Sequence, residues 1–154
     1  MDQAIELAKK AADIGEVPIG AIVVKDDQII GQAYNLRETD CRATAHAELL
    51  AIESANQHLG AWRLEGASLY VTLEPCPMCA GAIINARIHQ VIYGASDPKA
   101  GCGGSLCNLI EDERFNHQAQ IIAGIRSQET GQLLSQFFKK LRQSKKSYKQ
   151  AVDN

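Results

Sequence analysis

The chain has 154 residues, of which 45% are hydrophobic and 22% charged, values typical of a soluble globular protein with one domain over residues 1–154. No stretch approaches the roughly 20 apolar residues that a membrane span needs, and the N-terminus lacks the pattern of a signal peptide. Five cysteines, an odd number, argue against a secreted disulfide framework. We therefore expect a cytoplasmic protein that does not bind a membrane.

The net charge of −2 is unevenly distributed along the chain. Residues 139–154 carry six basic side chains and one acidic side chain, a net charge of +5, whereas the preceding 138 residues carry −7. Clustered Lys and Arg favour binding to phosphate backbones. A solvated helix end explains the same charges, and composition alone does not separate the two interpretations.

Hydrophobic spacing predicts a helix, a hairpin and a second helix in the first part of the chain. Apolar residues recur at helical intervals over residues 2–14 and stop before a glycine. Two β-branched runs, 20–25 and 28–34, are joined by two aspartates and predict a hairpin. Residues 35–44 are polar and irregular, and a second helix is expected over 45–57.

The remainder of the chain predicts alternating strands and helices. The expected segments are a strand at 68–73, a helix at 77–86, a strand at 89–94, a glycine-rich loop at 95–105, a short helical piece at 106–112, a strand at 119–123 and a basic amphipathic helix at 128–146. This order predicts an α/β fold with a mixed sheet of about five strands and helices on both faces.

Two short segments carry side chains suited to zinc. Zinc prefers nitrogen and sulfur ligands, and a catalytic site uses three protein ligands and leaves the fourth position to water. His46, Cys76 and Cys79 offer three such ligands. The two cysteines are three residues apart at a predicted helix start, where the helix dipole favours thiolates. We expect one catalytic Zn²⁺ per chain.

Glu48 follows His46 by two residues and is the expected proton carrier of the site. It would take a proton from the water that zinc activates, deliver it to a ring nitrogen and later protonate the departing amine. Residues two apart on an ideal helix point about 200° away from each other. Both side chains therefore share a site only if His46 lies in the first turn of the helix or just before it.

Two other interpretations of the cysteines stay open at this point. Cys76 and Cys79 could form a redox pair, although the chain lacks a thioredoxin-like pattern. A structural zinc site would need a fourth protein ligand, which Cys102, Cys107 or His89 could provide.

Several motifs resemble a known family. His46-Ala-Glu48 followed by Pro75-Cys76-Pro-Met-Cys79 resembles the signature of the zinc-dependent cytidine and nucleobase deaminases. Within that superfamily the chain is most similar to the bacterial tRNA adenosine deaminases that convert wobble adenosine to inosine. The motifs that carry this resemblance are 16–21, 44–48, 69–76, 78–82, 94–99 and the helix with Phe137 and Phe138.

The resemblance implies a three-layer α/β/α fold, a homodimer with both active sites near the interface, and a tRNA anticodon stem-loop as substrate. It also implies roles for individual residues. Asn35 and the backbone around Ala47 would contact the flipped base, and Asp97 and Lys99 the nucleotides beside it. The residues that would hold the anticodon loop are Phe137, Phe138 and Arg142.

Several of these roles have plain structural alternatives. Asn35 could form a turn after its strand, and Asp97 before a proline is a common loop starter. Phe137 and Phe138 are adjacent, so they cannot both face one core, and a dimer contact explains an exposed aromatic side chain as well as RNA stacking does.

Two other functions compete with tRNA deamination. A deaminase of free guanine or cytosine would need no phosphate-binding surface, so the basic tail argues against it. A non-catalytic zinc-stabilised RNA-binding module would have no use for the carboxylate of Glu48 beside the metal.

Overall fold

The computed structural model of the chain describes residues 1–152; Asp153 and Asn154, the end of the predicted domain, lie outside the described residues. The charge count of the basic tail included Asp153. In chain order the elements are α1 (Asp2–Asp13), β1 (Gly20–Lys25), β2 (Gln28–Tyr34), α2 (Ala47–Leu59), β3 (Ser68–Leu73), α3 (Pro77–Asn85), β4 (Gln90–Ala95), β5 (Gln120–Ile122) and α4 (Ser127–Val152).

The strands form one mixed sheet in the order β2-β1-β3-β4-β5. β1 is antiparallel to β2 and β3, whereas β3, β4 and β5 are parallel. Helices α1 and α4 pack on one face, and α2 and α3 cover the other. This three-layer arrangement confirms the predicted α/β/α fold with a five-stranded mixed sheet. Along residues 1–152, no helix is both long and apolar enough to cross a membrane.

The relative directions of the strands determine which edge of the sheet can hold a site. Because β1 is antiparallel to both of its neighbours, β2 runs in the same direction as β3 and β4. The ends of β2, β3 and β4 therefore meet at one edge of the sheet, the edge where ligands bind in open α/β sheets. A hydrogen bond from Leu36 N to Ala45 O, 3.0 Å long, closes the loop after β2 and brings the start of α2 to that edge.

One predicted element is wrong, and several helix ends differ from prediction, most of all the end of α4. Residues 106–112 form turns instead of a helical piece, because a tight antiparallel turn holds this stretch, with Gly103 bridged to Asn108. Helix α2 begins at Ala47, two residues later than predicted, since the backbone of His46 is extended. Helix α4 continues beyond its predicted end to Val152, where neither Gly nor Pro interrupts the sequence.

We predict that Gly31→Ala lowers the free energy of unfolding by about 1–3 kcal/mol or more, the typical range for overpacking. Gly31 in β2 lies directly against α2, and a Cβ there would meet the carbonyl of Ala51 and the backbone of Ala55. Gly131→Ala in α4 is the matched control, because its Cβ would lie 3.9 Å from Ala95, an ordinary contact. Urea unfolding measures the stability of both variants. If the two variants were equally stable, the close packing of α2 on β2 would be contradicted.

Candidate active site

The three expected metal ligands lie at the N-terminal ends of two helices. His46 immediately precedes α2 with an extended backbone (φ −80°, ψ 148°), and Cys76 immediately precedes α3 (φ −75°, ψ 174°). Cys79 lies in the first turn of α3. The structure thus meets the geometric condition that sequence alone left open, since His46 stands before the helix that carries Glu48.

The distances between the ligand atoms fit a tetrahedral zinc ion. His46 Nδ1 lies 3.6 Å from Cys76 Sγ and 3.6 Å from Cys79 Sγ, and all three ligand atoms lie within 4.8 Å of one another. Zn–S bonds of about 2.3 Å and a Zn–N bond of about 2.05 Å at the tetrahedral angle place N and S about 3.6 Å apart. The donor set and its spacing therefore match a three-ligand zinc site.

No fourth protein ligand joins this cluster within the described part of the chain. Cys102 is buried in the hydrophobic core, and Cys107 and His89 are exposed. The structural-zinc alternative therefore lacks support from these residues.

Without a metal, the protein electrostatics favour negative charge on the sulfur of Cys76 and a protonated thiol on Cys79. A hydrogen bond from the Cys79 thiol, together with one from His46, lowers the pKa of Cys76 to about 4. The same hydrogen bond to Cys76 raises the pKa of Cys79, and burial of the Cys79 thiol raises it further. The pKa of His46 is raised, chiefly by its hydrogen bond with Cys76. The amide ends of α2 and α3 add partial positive charge at the same point, which suits anionic ligands.

Glu48 is the second residue of α2, and its carboxyl is buried beside the cluster. The side chain is 4% exposed, and Oε2 has no hydrogen-bond partner among the described residues. Burial raises the pKa of Glu48 to about 7. A carboxyl group with a pKa near neutrality can both accept and release a proton at the pH of the cell.

His46, Glu48 and Cys76 line the floor of a cleft with a volume of about 480 Å³. Of the residues expected to contact substrate, four also line it: Asn35, Asp97, Lys99 and Phe138. The remaining walls are mostly apolar, and sequence reasoning missed these residues: Val17, Ile19, Leu73, Pro98 and Leu134. Leu134 could have been found from its spacing, since it lies four residues before Phe138 on the same face of α4.

The other three expected contact residues do not line the cleft. Ala47 is the first residue of α2 and is fully buried. Phe137 is half-buried and meets the 39%-exposed Phe138 edge-on, with ring centroids 5.5 Å apart. Arg142 is exposed and lies one helical turn beyond Phe138.

Asn35 both forms a turn and faces the cleft. Its Oδ1 accepts a bond from Arg37 N at 3.2 Å, and its Nδ2 donates to Val17 O at 3.3 Å and to Glu16 at 3.4 Å. Glu16 is itself buried. Burial tends to raise the pKa of Glu16, but hydrogen bonds from Thr39 hold it below its usual value. The amide of Asn35 is therefore held in one orientation before any ligand binds.

Sequence reasoning also missed Glu74, a buried acid directly after β3. Burial tends to raise its pKa, but hydrogen bonds from Ser105, Asp97 and Gly103 hold it below the usual value. The available sequence signal was an acidic residue between an apolar strand and Pro75. Such a position predicts a buried carboxylate, and a buried carboxylate needs hydrogen-bond partners.

Comparison with known proteins agrees with this geometry. A sequence model of the MafB19-like deaminases matches residues 1–142. The chain is 57% identical over 147 residues to the tRNA-specific adenosine deaminase of Bacillus subtilis, covering 96% of this chain and 91% of that one. The chain belongs to the tRNA-specific adenosine deaminase family. It is therefore a deaminase, as its motifs predicted.

The fold of this tRNA-specific adenosine deaminase family member resembles solved structures of a tRNA deaminase and of a free-base deaminase. A tRNA:A34 deaminase, studied for A-to-I editing at the wobble position, has a TM-score of 0.84 and 41% identity, covering 87% of this chain and 97% of that chain. The guanine deaminase of Bacillus subtilis has a TM-score of 0.60 and 44% identity, covering 62% of this chain and 61% of that chain. The tRNA enzyme thus matches over more of the chain and superposes better.

Proposed function

We propose that this chain hydrolyses adenosine to inosine at the wobble position of a tRNA anticodon, with one zinc ion held by His46, Cys76 and Cys79. The observation that carries the proposal is the buried carboxyl of Glu48, whose Oε2 has no hydrogen-bond partner among the described residues, beside a three-ligand set at the floor of a cleft. A structural metal site would gain nothing from such a carboxylate, since an unsatisfied buried acid lowers stability.

The reaction replaces the amino group at C6 of adenine with oxygen from water and releases ammonia. Zinc, when bound, acts as a Lewis acid that makes water a nucleophile at neutral pH. Glu48 takes the proton that this water loses and transfers it to the ring nitrogen next to C6. It then takes the proton of the hydroxyl now bonded to C6 and delivers it to the amino group, so that the C–N bond breaks, ammonia leaves and the C6 carbonyl forms. The amide of Asn35, fixed by its neighbours, hydrogen-bonds the base and orients it toward Glu48, with the backbone at Ala47 alongside.

The RNA surface surrounds the mouth of the cleft. Lys99 and Asp97 line the cleft, where they contact the nucleotides beside the flipped base. Phe138, which also lines the cleft, stacks on an unpaired base, Phe137 supports its ring from the edge, and Arg142 binds phosphate. The exposed lysines of α4 extend this positive surface, so binding should weaken as salt rises.

A deamination assay tests the proposal. Purified, zinc-loaded protein is given an anticodon stem-loop with adenosine at the wobble position, and separately free guanine, cytosine, adenosine and cytidine. We expect inosine at that single position, detected as an A-to-G change. Ammonia from a free base with an unmodified stem-loop would instead establish the alternative favoured by the likeness to guanine deaminase.

We predict that Phe138→Ala weakens binding of the stem-loop about 5- to 150-fold, the equivalent of about 1–3 kcal/mol for the loss of one base–aromatic stack. Phe138 is exposed at the cleft and has no core role that would explain the loss. Phe115→Ala is the control, because Phe115 is also exposed but does not line the cleft. Fluorescence anisotropy with labelled stem-loop measures the affinity of both variants. If both bound the stem-loop as tightly as the parent protein, RNA stacking on Phe138 would be contradicted.

The proposal includes a cytoplasmic homodimer. A groove beside α2 and α3 is lined by the exposed Trp62 and by the half-buried Leu49 and Ala82, and apolar surface of this kind supports self-association. The five cysteines are free thiols, which suits a reducing compartment. Sedimentation equilibrium of the purified protein tests the dimer, and a monomer at micromolar concentration would contradict it.

A further inference from the structure

A second buried carboxylate lies next to the site and has no part in the proposed chemistry. Glu74 directly follows β3, and its side chain is 2% exposed. The ion pairs among the described residues do not include it. Its charge must therefore be balanced by neutral hydrogen-bond donors.

All of those donors come from one loop, residues 96–105. Oε2 of Glu74 accepts bonds from Asp97 N at 2.8 Å and from the Ser105 hydroxyl. Oε1 accepts bonds from Gly103 N at 3.0 Å and Ser105 N at 2.9 Å. Gly101 packs against the carboxyl group, where a Cβ would overlap it. Gly101 therefore lets the loop pass closely around this anion.

The bonds continue from Glu74 toward the mouth of the cleft. Asp97, held through its backbone N–H, accepts bonds at Oδ1 from Lys99 N at 2.9 Å and Ala100 N at 3.2 Å. In the other direction the chain passes from Glu74 through Pro75 to the metal ligand Cys76, and Pro75 O accepts a bond from Cys102 N at 2.8 Å. Glu74 thus joins the metal-binding helix to the loop that borders the cleft.

We propose that Glu74 is a positioning residue, whose carboxylate holds the 96–105 loop so that Asp97 and Lys99 receive the nucleotides beside the target base. This inference rests on the proposed function, because it assigns Glu74 to binding of the RNA flanks and not to proton transfer. Three backbone N–H groups and one hydroxyl around one carboxylate form charge-assisted hydrogen bonds. The amide of glutamine has the same shape but would present N–H₂ to an N–H donor of the loop.

Hydrogen–deuterium exchange of the protein without RNA tests the structural half of the proposal. In Glu74→Gln we expect the amides of Asp97, Gly103 and Ser105 to exchange faster, while amides of the central strands keep their protection. Glu113→Gln is the matched control, since Glu113 is exposed and outside the cleft. Unchanged exchange at the three loop amides would overturn the proposal.

Kinetics on the stem-loop test the functional half. We expect KM to rise about tenfold or more in Glu74→Gln, with kcat within about twofold of the parent protein and zinc content unchanged. In a background that already carries Asp97→Ala and Lys99→Ala, the same substitution should have little further effect, because residues acting through one loop are not additive. A fall in kcat with unchanged KM, or loss of zinc, would assign Glu74 to the metal cluster and overturn the proposal.

Ser105→Ala provides a milder test if Glu74→Gln folds poorly. It removes one donor, the hydroxyl, and should raise KM in the same direction by a smaller factor. A KM equal to that of the parent protein, with unchanged exchange at Asp97 N, would count against the proposal. The exchange experiment needs no RNA, so its result stands even if the parent protein fails to convert the stem-loop, an outcome that would contradict the proposed function itself.

Discussion

Glu48→Gln is expected to lower the deamination rate about 10²- to 10⁴-fold, the usual contribution of a positioned general acid–base group. The amide has the shape of the carboxyl but cannot take up and release a proton, so the loss should appear in kcat. Binding of the stem-loop and the zinc content should stay close to those of the parent protein. Single-turnover kinetics, fluorescence anisotropy and metal analysis measure the three quantities.

The matched control is Glu53→Gln, which changes an exposed glutamate on the same helix. Thermal unfolding adds a second comparison. Because Oε2 of Glu48 is buried without a partner among the described residues, removal of the charge should leave the Tm unchanged or raise it. A Glu48→Gln protein with full deamination activity would contradict the proton role and assign proton transfer to another group. The zinc-stabilised binding module would become the better interpretation only if the parent protein bound the stem-loop without converting it.

Cys76→Ala is expected to abolish both zinc binding and turnover. Cys76 holds one of three ligand atoms, and the two that remain, on His46 and Cys79, cannot complete a three-ligand site. Zinc should also stabilise the parent protein, by about 2.7 kcal/mol when free zinc exceeds the Kd 100-fold. The Tm of the parent protein should therefore rise with added zinc, while that of Cys76→Ala should not.

Cys107→Ala is the control for this substitution, because Cys107 is an exposed cysteine outside the cluster. Its zinc content, activity and Tm should match those of the parent protein. A chelator should remove activity from the parent protein, and added zinc should restore it. Activity that survived both the chelator and Cys76→Ala would exclude this cluster as the catalytic centre.

Much of the fold followed from the sequence because its signals are local. The hairpin of β1 and β2 and the strand β3 have the residues predicted for them, since alternating and β-branched runs bounded by turn residues specify strands. The helices were predicted within a few residues except at the end of α4. The prediction for segment 106–112 was wrong because its backbone amides bond back to the preceding loop, Leu106 N to Gly101 O and Leu109 N to Cys102 O, which no local pattern reveals.

Residue types alone indicated most of the chemistry of the site. Imidazole and paired thiols at Cys-x-x-Cys spacing indicate zinc whatever the fold around them, and a carboxylate two residues from the imidazole indicates proton transfer. These are statements about short segments, so the sequence by itself predicted the candidate ligand set and indicated the family.

Only the tertiary structure decided what surrounds that chemistry. Whether Phe137 or Phe138 faces the cleft depends on what lies opposite α4, because adjacent helical residues point about 100° apart. Asn35, Glu74 and the 96–105 loop meet because β2, β3 and β4 run in the same direction and end at one edge of the sheet. Contacts between residues distant in sequence depend on strand order and direction, and these are properties of the whole fold and not of any short segment.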